Sequence, residues 1–177
     1  MGLTLHALVV YPLLIKTFTT TSIKNFFSSI APAQLMAFST SSSAATLPIT
    51  MECCEKNLGV SEEVSSFVLP LGATINMDGT ALYQSVAAVF IAQSLGMGLD
   101  LTAQLTIVVT ALLASIGSAG VPGAGIIMLI IILEAVGVPS TGIALILGVD
   151  RILDMVRTTT NITGDAAVAV IVARSEN

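Results

Sequence analysis

Between Asp150 and Asp165 the sequence sets three acids, two arginines and an asparagine among apolar residues and threonines. At about 100° per residue, Asp150, Asp154, Arg157, Thr158, Asn161 and Asp165 fall in one helical stripe roughly 100° wide, with Arg151 at its edge. Ile152, Leu153, Met155, Val156 and Ile162 fill the rest of the turn. A planar guanidinium suits two-point capture of a carboxylate, so Arg157 favours an acidic ligand. Asp154, one turn away, offers the opposite charge to an amine. One stripe thus has the chemistry to read both charge types of an acidic amino acid.

What such a stripe means depends on its solvent. Hydrophobic residues make up 54% of the 177, charged residues only 10%, and the mean hydropathy is +0.96; soluble domains carry roughly a quarter charged residues. The composition predicts an all-α membrane protein. Ionisable side chains in hydrocarbon cost about 2.5–3.5 kcal/mol on insertion scales and persist where they face a polar interior. Asp78, Asp150, Asp154 and Asp165 against Arg151 and Arg157 leave this interior net negative, a balance that bound cations relieve. The net charge of −5, with no basic patch, points away from nucleic acid. Cys53 and Cys54 are adjacent and read as free thiols. His6, within an apolar run, reads as an incidental helix residue. The start lacks a basic region and a cleavage site, so it reads as a cut through a longer protein rather than a signal peptide.

The elements that must position the stripe follow from the pattern of apolar runs. A first transmembrane helix is expected over 2–17, short of the roughly 20 residues that span a bilayer. Residues 26–56 form two weakly apolar arms around the serine-rich tip Ser41–Ser43. Each arm is too short to span and the tip cannot face lipid, so a re-entrant hairpin is expected, with an exposed serine-rich linker as the plainer alternative. Residues 64–98 read as a transmembrane helix interrupted at Gly72–Thr80, where Asn76, Asp78 and Gly79 are poor helix formers. An unwound centre would expose carbonyls to a cation; the alternative is a loop between two short helices.

A second re-entrant hairpin is expected over 101–138, broken at Gly117–Gly125, although glycines there also allow close helix packing. The C-terminal transmembrane helix is expected over 140–174. A broken hydrophobic segment followed by a helix with buried polar groups thus occurs twice, as in transporters built from inverted repeats around a midplane site. This topology puts Lys16, Lys24, Lys56 and Arg174 on one side, which the positive-inside tendency makes cytoplasmic.

The tip Ser41–Ser43, the break Asn76-Met-Asp-Gly-Thr80, the tip Gly120-Val-Pro-Gly-Ala-Gly125 and the set Asp154, Arg157, Thr158, Asn161 and Asp165 stand in an order that resembles the glutamate transporter family, the dicarboxylate/amino acid:cation symporters. That family itself exemplifies the inverted-repeat pattern, so the repeats are not independent support. The resemblance covers essentially the whole chain but only the C-terminal part of the family's. It implies a multi-pass protein of the cell membrane, not an enzyme, that carries glutamate or aspartate with sodium by elevator-type alternating access. It also implies a homotrimer formed through an N-terminal scaffold absent here.

Carried over residue by residue, the resemblance gives substrate binding to Ser41, Ser42 and Ser43, with the Ser43 N–H and Asn161 on the α-carboxylate. Asp154 would hold the amine. Arg157, with Thr80 and the Gly125 amide, would hold the side-chain carboxylate, and Met77, Val121 and Thr158 would complete the pocket. One sodium ion would meet Asp165 and carbonyls of Gly72, Asn76 and Asn161. A second would meet carbonyls of Thr74, Ser115, Ile116 and Ser118. A third would use Asp78 and the Asn76 side chain with groups from a helix outside the chain.

Archaeal relatives carry arginine where this chain has Ser41, and Arg151 on the last helix is the nearby candidate for that space. Within the family, a C4-dicarboxylate substrate or proton coupling is the alternative. From other classes, a passive ion channel could use the same polar seam, and an intramembrane aspartyl protease could pair Asp78 with Asp165. The protease requires one acid of raised pKa, which sodium and Arg157 would oppose.

Overall fold

The computed structural model describes residues 1–176 and is built from helices. A continuous first segment comprises α1 (Gly2–Leu5), a π-helical turn (His6–Val10) and α2 (Tyr11–Phe18). It is followed by α3 (Ile23–Thr40), α4 (Ser43–Leu58), α5 (Glu62–Ile75), α6 (Asp78–Ser94), α7 (Leu101–Ile116) and α8 (Ala124–Ala135). A 3-10 turn (Ser140–Leu145) then leads into α9 (Leu147–Ser175), whose 29 residues make it the longest helix described.

The starts and stops have local causes. Ser22, Ser42, Ser61 and Asp100 each accept a backbone N–H from the first turn of α3, α4, α5 and α7, satisfying donors that have no intrahelical partner. Glu62 and Glu63 add favourable charge at the start of α5. The α3–α4 reversal turns on Ser41 at φ 53°, a left-handed conformation that costs a side-chain-bearing residue strain. The α5–α6 break falls on Asn76 (φ −102°, ψ 61°) and Met77 (φ −104°, ψ 56°). Gly123 at φ 78° lets the chain enter α8 after Pro122.

Helix α9 runs through the molecule and touches α1, α2, α3, α4, α5 and α6. On one side a core of Ile15, Phe26, Ile30, Val64 and Leu69 packs against Ala166, Ala169 and Val170 of α9. On the other, Ile91, Ile107, Leu129 and Leu133 join α6, α7 and α8. The free thiols Cys53 and Cys54 are both buried. One face of α7 exposes Leu101, Leu105, Val108, Val109, Leu112 and Leu113.

The all-helical expectation holds among the described residues. Among the described residues no helix is long and apolar enough to cross a membrane. The cause is visible at each place: the Asn76–Met77 break leaves pieces of 14 and 17 residues, and α9 has the length but carries the charged stripe. Leu129 is fully buried, so Leu129→Ala should destabilise the fold by about 2–5 kcal/mol. Leu112→Ala, on the exposed face of α7, should change it by less than about 0.5 kcal/mol. Thermal and denaturant unfolding of both variants provides the comparison.

Candidate functional site

The charged stripe of α9 points inward. Asp150, Asp154, Arg157, Thr158, Asn161 and Asp165 are all buried, whereas Arg151 at the edge is exposed. The centre is the Asp154–Arg157 pair: Asp154 Oδ1 accepts Arg157 Nη2 at 2.7 Å and Nε at 2.9 Å. The Gly123 N–H donates to the other carboxylate oxygen at 3.0 Å, tying the α7–α8 tip to the pair. Arg157 Nη1 is buried without a hydrogen-bond partner, a costly arrangement for a charged donor. The guanidinium carbon lies 5.3 Å from the centre of the Tyr83 ring, and Tyr83 donates to Asp150 at 2.5 Å.

One pocket collects Ser41, Ser43, Met77, Thr80, Val121, Gly125, Asp154, Arg157, Thr158 and Asn161, together with Ser118, Ala119, Gly120 and Ala124. Its free space is close to that of a single water molecule. Ser42 stands beside this lining and joins the two tips instead. Its hydroxyl donates to the Gly120 carbonyl at 2.7 Å, and the Ala44 N–H donates to the same oxygen at 3.2 Å. Asn161 is fixed across the α5–α6 break, donating to Thr80 Oγ1 at 2.9 Å and accepting the Thr80 N–H at 3.3 Å. Glycine is required at 79, where a Cβ would come 2.8 Å from both the Arg157 carbonyl and Asn161 Oδ1.

The proposed ion ligands do not form a single cluster. Gly72, Asn76 and Asp165 line a separate recess with Ile75 and Val168. There Asn76 Nδ2 donates to Asp165 Oδ1 at 2.9 Å, and a Cβ at Gly72 would come 2.6 Å from that oxygen. Ser115, Ile116 and Ser118 sit at the α7 end of the second tip, with the Ser115 hydroxyl bonded to Leu112 O at 2.8 Å. Thr74 is exposed and its hydroxyl is bonded to Leu71 O within its own helix. Asp78 lies apart from the recess and accepts Tyr11 and His6 at 2.7 Å each.

His6 is therefore not an incidental residue, as the sequence suggested, but a partner of Asp78. Sequence reasoning also passed over Tyr11, Tyr83 and Gln84, the last donating to Gly125 O at 3.1 Å while its own Oε1 stays unpartnered. The available signal was the scarcity of polar side chains in their apolar helices. Arg151 does reach the first tip, donating to Ser41 Oγ at 3.1 Å.

The chain is all-helical among its described residues, and two helical tips, joined by the Ser42–Gly120 bond, meet over a buried acid–guanidinium pair. Residues 1–175 match the sodium:dicarboxylate symporter family, and the chain belongs to that family. It is 50% identical over 171 residues to excitatory amino acid transporter 1 of Homo sapiens, an alignment covering 97% of this chain and 32% of the relative. An excitatory amino acid transporter of Caenorhabditis elegans is 50% identical over 174 residues, covering 97% and 34%. Excitatory amino acid transporter 2 of Homo sapiens is 48% identical over 171 residues, covering 97% and 30%. The chain thus spans about a third of the length of these relatives.

A Cβ at Gly125 would collide with the Arg157 guanidinium. Gly125→Ala should therefore expel Arg157 from its pairing with Asp154 and destabilise the fold by about 1–3 kcal/mol. The same change at the exposed Gly98, which has open space around it, should be close to neutral in the same unfolding measurement.

Proposed function

We propose that the chain is the substrate- and ion-binding part of a membrane symporter that moves an acidic amino acid, aspartate or glutamate, with sodium. The observation that carries this reading is the buried Asp154–Arg157 pair with Arg157 Nη1 left unpartnered under two closed tips. A ligand bearing both an ammonium and a side-chain carboxylate can divide the pair without stranding either charge: the amine goes to Asp154 and the carboxylate to Arg157. The α-carboxylate goes to Asn161 and the Ser43 N–H, with Thr80, Met77, Val121, Gly125 and Thr158 around it. The match to a sodium:dicarboxylate symporter family supports sodium as the coupling ion. Asp165, with Asn76 and the Gly72 segment, is its best-supported site, because a buried carboxylate in this recess lacks a basic partner.

In this reading α3–α4 and α7–α8 are re-entrant gates in inverted repeats within a cell-membrane protein. The exposed apolar face of α7 meets lipid or further protein. The remainder of a longer chain supplies a trimeric scaffold against which the unit moves as an elevator. Membership of a sodium:dicarboxylate symporter family also supports a dicarboxylate as the second reading. Asp154 weighs against it, since a dicarboxylate brings no amine to pair with that acid. Competition against bound L-aspartate separates the two: succinate should compete far more weakly, and equal competition would reverse the ranking.

The chain in detergent should be stabilised by L-aspartate only when sodium is present. At roughly a hundred times Kd the rise in Tm should be about 5–10 °C. Asp165→Asn should abolish the sodium requirement or the response, and a rise indifferent to both sodium and Asp165 would defeat the coupled site. The isolated chain should show no sodium-driven uptake in liposomes. Arg157→Ala should weaken acidic amino acids by about a hundredfold while leaving serine and alanine binding much less affected. Equal weakening of both classes in a competition assay would make Arg157 structural.

A further inference from the structure

Two polar side chains of the otherwise largely apolar first segment converge on one oxygen. His6 Nε2 lies 2.7 Å from Asp78 Oδ2, and the Tyr11 hydroxyl donates to the same atom at 2.7 Å. The other carboxylate oxygen accepts the Gly79 N–H at 2.8 Å. Tyr11 is buried, stands edge-on to the His6 ring, and places its hydroxyl 2.8 Å from the Thr160 carbonyl of α9. These separations are those of hydrogen bonds. Oxygens sharing a metal ion are held farther apart by the ion between them, so Asp78 Oδ2 is arranged as an acceptor of protein donors.

The surroundings are shaped for this convergence. A Cβ at Gly164 would come 2.9 Å from the Tyr11 hydroxyl, 3.2 Å from Asn76 Nδ2 and 3.4 Å from Asp78 Oδ2. Glycine at 164 therefore lets three polar groups, one from the first segment and two from the α5–α6 break, close against α9. The Asn76 amide in turn donates to Asp165, so the cluster is joined to the recess through one side chain. The His6 and Asp78 side chains remain partly exposed, at 23% and 31%, which leaves the carboxylate reachable from outside.

We propose that His6 and Tyr11 are positioning residues that take the place of a coupling cation at Asp78. A cation that takes the Oδ2 lone pair facing Tyr11 displaces that hydroxyl, and in doing so it loosens the first helical segment from the α5–α6 break. The cation half of this inference rests on the sodium-coupled reading above; the attachment of the first segment does not. The chain therefore carries its own competitor for an ion at Asp78, and sodium occupancy there is linked to the freedom of residues 2–18.

Tyr11→Phe keeps the ring and removes the donor. Hydrogen exchange across residues 2–18 should lose about tenfold protection, the equilibrium equivalent of one hydrogen bond to a charged group; unchanged protection overturns the attachment. The same variant should lower the half-saturating sodium concentration for aspartate-induced stabilisation by about tenfold, since a competitor of the ion has gone. A higher value, as for a lost ligand, or an unaltered value with only a lower Tm, as for a packing residue, overturns the competition. His6→Gln, which retains a donor, should lie between the wild type and Tyr11→Phe. A wild-type chain indifferent to sodium would defeat the symport reading and the competition together, while the exchange measurement still decides the attachment.

Discussion

A guanidinium withdrawn from water must have a counter-charge within reach, and the pairing of Arg157 with Asp154 answers that need on a single turn of α9. Much of the fold is arranged around it. The pair requires a helix shielded on several sides, and α9 touches α1 through α6. It requires a ring for the guanidinium face, supplied by Tyr83, and an anchor for that ring, supplied by Asp150. It requires a backbone without a side chain at Gly125, because nothing larger fits beside the guanidinium. What remains unmet is one nitrogen, Nη1, a charged donor that an anion would satisfy.

The same constraint explains why the helices are broken. Polar backbone is brought to the pocket at Ser41–Ser42, at Asn76–Met77 and at Gly117–Gly123, and each interruption ends a helix before it becomes a long apolar rod. The apolar surface that such rods would have carried is instead distributed along shorter pieces such as α7. A chain that spans about a third of its relatives' length leaves faces of this kind uncovered by its own residues.

Local features of the site were legible in the sequence for a physical reason. The α9 stripe follows from helical periodicity, and Gly123, Pro122 and Asn76 mark interruptions through conformational preference alone. The contacts that join elements were not legible. His6 and Asp78 are 72 positions apart, and Tyr83 and Asp150 are 67 apart; Arg151 and Ser41, 110 apart, were brought together only by the family resemblance. No periodicity within a helix encodes such pairings; they follow from how helices stack. His6 was misread for that reason, since its partner lies on an element that the run around it does not mention. The π-helical turn at His6–Val10 was equally hidden, because its residues are compatible with an ordinary helix.

The seam between the two tips has a chemical direction. Both donors, the Ser42 hydroxyl and the Ala44 N–H, belong to the first tip, and the one acceptor, the Gly120 carbonyl, belongs to the second. Parting the tips therefore has unequal effects on its two lips. The second keeps a carbonyl that water readily satisfies, whereas the first is left with two donors at the start of α4, where the helix dipole is positive. Were the tips to part, the first lip would present two freed donors, and an arriving anion would meet an attraction that the joined tips conceal.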